Sequence, residues 1–275
     1  MKNFTILSVA FISLIIGFVG CKKGPDDPKE TQTPSKKFCL LTREIDDTFY
    51  LGYEYDSQNR LVKLSKKSGT QITSDFVSLT YNSNAQIIIK KLDIITTYTL
   101  TNGIVTSSTY NVTEFLNGFN VTSTYNTIYE HDAEGYLTKE ILTTIITTNE
   151  PGVAPQVSFT GSKDYTYQSG NLITMTDRDP RRPDIIYTYD YYTDKTNNLP
   201  ESYYHLLITK PNKNPVKKVV KVRVNPFNSG ANTSFATDFN YEYNSDGLIK
   251  KKIEVRTFGS TTPETYITQY EYSCK

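Results

Sequence analysis

The chain has 275 residues, 30 Lys and Arg against 29 Asp and Glu, and only two His. Near-zero charge argues against nucleic acid, because phosphate binding requires a basic excess on one face. Twenty-two Tyr and thirteen Phe with no Trp point to aromatic ladders on strands rather than to a leucine-rich helical core.

Residues 1–20 read as an export signal. Met1-Lys2-Asn3 is a short positive start, and Phe4 to Val19 is an almost unbroken apolar run that ends in small residues. Phe18-Val19-Gly20-Cys21 resembles a bacterial lipobox, with Phe in the position usually held by Leu. The resemblance implies that Cys21 is acylated and becomes the mature N-terminus; the alternative is an ordinary cleaved signal with an incidental Cys. Acylation would hold the protein on a membrane, since two lipid signals already suffice for stable anchoring. Residues 21–37 contain Gly24-Pro25-Asp26-Asp27-Pro28 and Thr31 to Ser35, with almost nothing apolar to bury, and are expected to form a flexible tether. Asp26-Asp27 partly matches an acidic surface-export signal, so the expected address is the outer membrane, on its periplasmic or its cell-surface side.

A single domain is expected over residues 38–275. Alternating Thr, Tyr, Val and Ile segments broken by Asn, Gly and Pro predict on the order of fourteen antiparallel strands. One helix is a candidate at Pro200 to Leu207, with Pro in the first turn and Tyr203, Leu206 and Leu207 at helical spacing.

One hairpin pattern recurs through the domain. It reads Tyr53-Glu54-Tyr55-Asp56 to Leu61, Tyr129-Glu130-His131-Asp132 to Leu137, and Tyr241-Glu242-Tyr243-Asn244 to Ile249. Looser copies start at Tyr81, Tyr98 and Tyr165. In Tyr-x-Tyr both rings leave the same face of a strand. Asp or Asn after the second ring can bond nearby backbone N–H groups and end the strand. Asn59, Gly135 and Gly247 suit the left-handed residue that closes such a turn. Lysines after the turns, Lys63, Lys139 and Lys251 among them, read as a solvated strand face.

These copies resemble the YD (Tyr-Asp) repeat of rearrangement-hotspot and teneurin proteins. With the N-terminus, the chain looks similar to secreted Bacteroidota-type lipoproteins of unknown function that carry degenerate YD hairpins. The resemblance spans roughly residues 50–272 and implies an all-β antiparallel meander curved into an open or partly closed barrel-like sheet. It implies nothing about a reaction.

Cys39 and Cys274 lie at the two ends of the domain of an exported chain, which predicts that they pair; two free buried thiols are the alternative. No catalytic constellation, metal spacing or cofactor motif is present. His131 stands at a second-Tyr position, and His205 sits among Tyr203, Tyr204 and Leu206, so both read as packing residues. Two stretches are candidate binding surfaces. One is the charged loop around Arg178, Arg181 and Arg182, whose alternative is a locally paired, solvated hairpin loop. The other is the face of Tyr187, Tyr189 and Tyr191, an aromatic platform if exposed and a core ladder if buried. The expected function is a non-catalytic binding or scaffold module for a glycan or an envelope protein. The alternative is a carboxylate-dependent hydrolase of extracellular or envelope polymers.

Overall fold

The computed structural model describes residues 39–47, 49–68, 71–83, 85–199, 207–224, 233–259 and 261–275. Signal, tether and Cys21 lie outside them, as do His205 and all but the last residue of the candidate helix; Leu207 and Ile208 are helical.

Sixteen strands, rather than about fourteen, follow in order. The first eight are β1 (Cys39–Ile45), β2 (Phe49–Tyr55), β3 (Leu61–Ser68), β4 (Gln71–Ser83), β5 (Gln86–Lys91), β6 (Ile94–Thr101), β7 (Ile104–Leu116) and β8 (Phe119–His131). The rest are β9 (Leu137–Thr148), β10 (Gln156–Gln168), β11 (Asn171–Arg178), β12 (Asp184–Tyr191), β13 (Val216–Val224), β14 (Thr233–Tyr243), β15 (Ile249–Phe258) and β16 (Glu264–Cys274). Each strand pairs antiparallel with its sequence neighbours, and β1 pairs with β16 to close the barrel. Closure leaves no free sheet edge. The seam is locked covalently: Cys39 and Cys274 stand opposite each other in the ladder and form a disulfide, with Cα atoms 4.0 Å apart.

The recurrent hairpins all turn at one end of the barrel, which also holds both cysteines; we call it the near end and its opposite the far rim. Asp56 accepts the amides of Gln58 and Arg60, both at 2.9 Å. Asp132 accepts those of Glu134 and Tyr136, also at 2.9 Å, and Asn244 those of Asp246 and Leu248 at 3.0 and 2.9 Å. Asn59, Gly135 and Gly247 take the left-handed conformation, at φ 61°, 86° and 76°, as the turn requires.

The register slips just before the second aromatic of these hairpins, at Glu54/Tyr55, Glu130/His131, Thr166/Tyr167 and Glu242/Tyr243. Each slip is a β-bulge on the returning strand. Tyr55 pairs with Leu61 and Glu54 with Lys63, so Val62 is the extra residue. The bulge puts Leu61 and Leu64, three apart, on the same inward face, and both are buried. Lys63 faces outward against Glu54, 3.4 Å away.

A bulge strips the first apolar residue of the returning strand of part of its ladder, and other groups supply the missing partners. Its carbonyl is taken by a tyrosine hydroxyl from the next Tyr-x-Tyr strand. Tyr81 Oη donates to Leu61 O at 2.9 Å, Tyr191 to Leu172 O at 2.6 Å, and Tyr272 to Ile249 O at 2.8 Å. Tyr55 donates to Leu41 O in the same way at 2.8 Å. Tyr243, which occupies the equivalent place on β14, keeps a buried hydroxyl with no partner among the described residues.

The interior carries one large apolar cluster, running from Leu61 and Leu64 through Val77, Ile87 and Tyr98 to Leu137 and Leu172, and a smaller one around Leu41, Ile249 and Tyr270. Outside, oppositely charged residues face each other directly across strand pairs. These include Arg43–Glu271 at 3.2 Å, Lys139–Asp164 at 4.0 Å, Lys218–Asp238 at 3.6 Å and Lys251–Glu242 at 3.0 Å. The expected lysine face is thus an ion-paired outer wall.

Three outcomes test this description. Tyr272→Phe leaves the Ile249 carbonyl unpaired and is expected to cost about 1–2 kcal/mol in urea unfolding. Tyr243→Phe removes an unpaired hydroxyl and is expected to be neutral or stabilising; equal losses would refute the assigned bonding. Reducing the disulfide frees a loop of 235 residues, and the chain-entropy estimate is a loss of up to ~5 kcal/mol, read from unfolding with and without reductant.

A plugged cavity at the near end

The long connection between β12 and β13, residues 192–215, does not turn tightly like its neighbours. Its described parts fold across the near end and fill the hydrogen bonds that the bulges leave open. Thr209 Oγ1 accepts the amide of Leu137 at 3.0 Å, Asn212 Oδ1 that of Leu172 at 2.7 Å, and Asn198 Oδ1 that of Ile249 at 3.0 Å. Asn171 and Asn214 exchange two bonds at 2.9 Å, and Asn171, Asn212 and Asn214 are all buried. Such amides are tolerated inside only when their bonds are made. Ile208, 2% exposed, enters the main apolar cluster from this segment. His131 Nε2 donates to the Ile208 carbonyl at 2.6 Å, so His131 pins the plug, and the packing role expected of it is a bonded one.

Between the plug and the wall of β1–β6 lies a cavity of about 810 Å³, within the range of ligand pockets. Leu41, Leu61, Ile87 and Leu100 line it from the wall, and Leu199, Leu207 and Pro211 from the plug. Tyr55 and Tyr81 also face it. Burial holds the Tyr55 hydroxyl protonated, pushing its pKa up to about 12, and raises that of Tyr81 as well. At the mouth, Arg60 stacks 4.2 Å from the Tyr81 ring centroid and pairs with Asp56 at 2.7 Å. The backbone amide of Arg60, then its side chain, hold the Asp56 carboxyl below the usual carboxylate range.

The residues predicted as binding surfaces are distributed differently. Tyr187, Tyr189 and Tyr191 share the inward face of β12 with buried Ile185. Tyr189 packs on the main cluster, Tyr191 is bonded to Leu172, and Tyr187 lies 5.5 Å from Lys221 Nζ. They form an interior ladder, not an outer platform, because β12 sits mid-barrel with its Tyr face turned in. Arg178 is on the outer wall, paired with Asp164 and, at 3.7 Å, with Asp184. Arg181 and Arg182 lie at the far rim. Both bond Asp179, at 3.0 and 3.3 Å, and Arg182 also reaches Asp177 at 2.7 Å. The Arg181 side chain, then its backbone amide, pull the Asp179 carboxyl down to about 2. The loop is satisfied internally, and the structure does not bring it together with the three tyrosines' hydroxyls or with the cavity.

One interior carboxylate has an acid's surroundings. Glu140 is buried, accepts Tyr165 Oη at 2.5 Å and pairs with Lys163 Nζ at 3.3 Å. Burial, followed by the Glu140 charge, pushes the Tyr165 hydroxyl far above its usual range. With both oxygens engaged, Glu140 is a bonded structural carboxylate. Among the described residues no group of three His, Cys, Asp or Glu could hold a metal. The 810 Å³ cavity was not foreseeable from the strand patterns, since its far wall comes from residues about 140 positions away along the chain.

The strands differ in length: β1 and β2 have seven residues, β5 six, and β3, β6, β11 and β12 eight, while β4, β7, β8 and β10 have thirteen. The outside carries ion pairs beside exposed apolar residues such as Ile95, Phe115, Ile128 and Val157. Among the described residues no helix is long and apolar enough to cross a membrane.

Replacing Asn212 by Ala should strand the Leu172 amide and loosen the plug. We expect a loss of about 1–3 kcal/mol and faster amide exchange at Leu172 than at Leu64, which lies away from the plug contact; unchanged exchange at Leu172 would refute the plug's capping role.

No protein-family model matches the chain, and no curated protein sequence matches it. Among solved structures, it is similar to a porin-like protein from Bacteroides uniformis, with 17% identity and a TM-score of 0.54. The match covers 88% of this chain and 98% of that one. At that identity the likeness is one of fold: the chain is a closed, sixteen-stranded, antiparallel β-barrel.

Proposed function

We propose that the protein is a non-catalytic binding module of the cell envelope, held to the outer membrane by acylation at Cys21, that takes its ligand inside the barrel. The observation that carries this reading is the 810 Å³ cavity walled by strands on one side and by a hydrogen-bonded plug on the other. A scaffold contacting a glycan or an envelope protein through its outer wall is less well supported, because the tyrosines expected to form such a platform face inward. The hydrolase reading draws no support from the carboxylates described above: Glu140 is engaged by Tyr165 and Lys163, and Asp177 and Asp179 by the two arginines of their loop. A channel role is opposed by the plug that folds across the near end.

The test is native mass spectrometry of the protein isolated from envelope fractions, run beside Ser83→Trp, which narrows the cavity at an exposed position. A bound non-covalent mass that is lost in the variant is expected. A wild-type protein with no bound mass and no response to small molecules would overturn the binding reading. Release of Cys21→Ser from the membrane fraction is expected from the anchor; retention would overturn that part alone.

A further inference from the structure

We infer that the near-end cavity takes a single unbranched acyl chain with an anionic head, that is, an alkyl carboxylate or a close relative. This rests on the binding-module reading and specifies its ligand. The cavity's inner polar side chains are already bonded within the protein. Tyr55 and Tyr81 turn their ring faces to it, while their hydroxyls are spent on the Leu41 and Leu61 carbonyls. Of the three amides in its lining, Asn59 is exposed at the turn, while Asn197 accepts from the Leu199 amide at 3.1 Å and donates to Asn212 O at 3.2 Å. Asn198 accepts from the Ile249 amide and donates to Gly247 O, both at 3.0 Å. A sugar placed there would bury hydroxyls without partners, at a cost its apolar contacts could not offset. A hydrocarbon chain would make no such demand: leucine, isoleucine and proline form most of the remaining lining, and the polar Asn59, Arg60 and Ser83 are exposed at its edge.

The mouth supplies the other half of the amphiphile. Arg60 is clamped by Asp56 through Nε and Nη2 and lies flat on Tyr81. A guanidinium has five donors in a rigid fork. Its Nη1 group makes no bond to the protein among the described residues, and its side chain is 44% exposed. A carboxylate at the mouth would therefore meet a pre-oriented cation while its chain lies along Leu61, Ile87 and Leu100.

The chain has no Trp, so one introduced Trp is an unambiguous reporter. The full exported chain carrying Leu100→Trp is titrated with alkyl carboxylates brominated on the chain, with Phe258→Trp at the far rim as control. Saturable quenching is expected at position 100 and none at 258. Affinity should rise about fourfold per added methylene until the cavity is full, and Arg60→Gln should weaken it about tenfold. If Leu100→Trp fails to unfold cooperatively, Leu40→Trp, at another lining position, replaces it. Absence of saturable quenching in both, or equal quenching at the rim, overturns the inference. In that event a retained non-acyl ligand in native mass spectra would preserve the binding-module reading, so the two failures differ. Equal binding by the Cys21→Ser form is expected, since the ligand is a free amphiphile.

Discussion

The structure depends on what happens to one residue per hairpin, the first apolar residue after the turn. A bulge puts this residue and the one three positions later on the same inward face, as with Leu61 and Leu64 or Leu137 and Glu140. That gains burial for the returning strand but removes ladder partners from a buried backbone, which the interior does not tolerate. The repair is distributed. Carbonyls are met by tyrosine hydroxyls of the adjoining strand, and amides by Thr209, Asn212 and Asn198 of the plug. The tyrosine of the repeat is therefore a strut as well as a packing residue. Its ring fills the interior and its hydroxyl closes the neighbour's ladder.

That requirement joins fold to site. The amides that the plug caps lie on β9, β11 and β15, so one connection is tied to three separate sectors of the wall. On the β1–β6 sector the plug stands off the wall instead, and the cavity is the space between them. The same bonding engages the side chains of Asn197, Asn198, Tyr55 and Tyr81, so the inner part of this space is more apolar than its amides and phenols alone would make it. Opposite charges on the outer wall do the complementary task, pairing across neighbouring strands of the closed sheet.

Much of this was legible in the residues. The turns follow from Asp or Asn after the second aromatic and from Asn59, Gly135 and Gly247, since side-chain-to-backbone bonds and the left-handed region are local matters. The outward lysines follow from strand periodicity, and the Cys39–Cys274 bridge from two cysteines at the two ends of the domain. The bulges had a signal that strand reasoning passes over: apolar residues three apart, as in Leu61-Val62-Lys63-Leu64, break a period of two. Tyr187, Tyr189 and Tyr191 share a face by the same periodicity, but whether that face looked in or out was not contained in the spacing.

By itself, then, the amino-acid order determined an antiparallel meander of Asx-turned hairpins with aromatic and lysine faces, because each of those features is decided by bonds within about five residues. Tertiary structure decided that the meander closes through β1 and β16, that the Tyr-x-Tyr face is the interior, and that residues 192–215 fold back as a plug. It also decided that Arg60 and Leu207 border one cavity. These outcomes rest on pairings between residues tens to hundreds of positions apart. Their free energy comes from edges removed and buried polar groups satisfied, quantities that exist only once the sheet has curved round to meet itself.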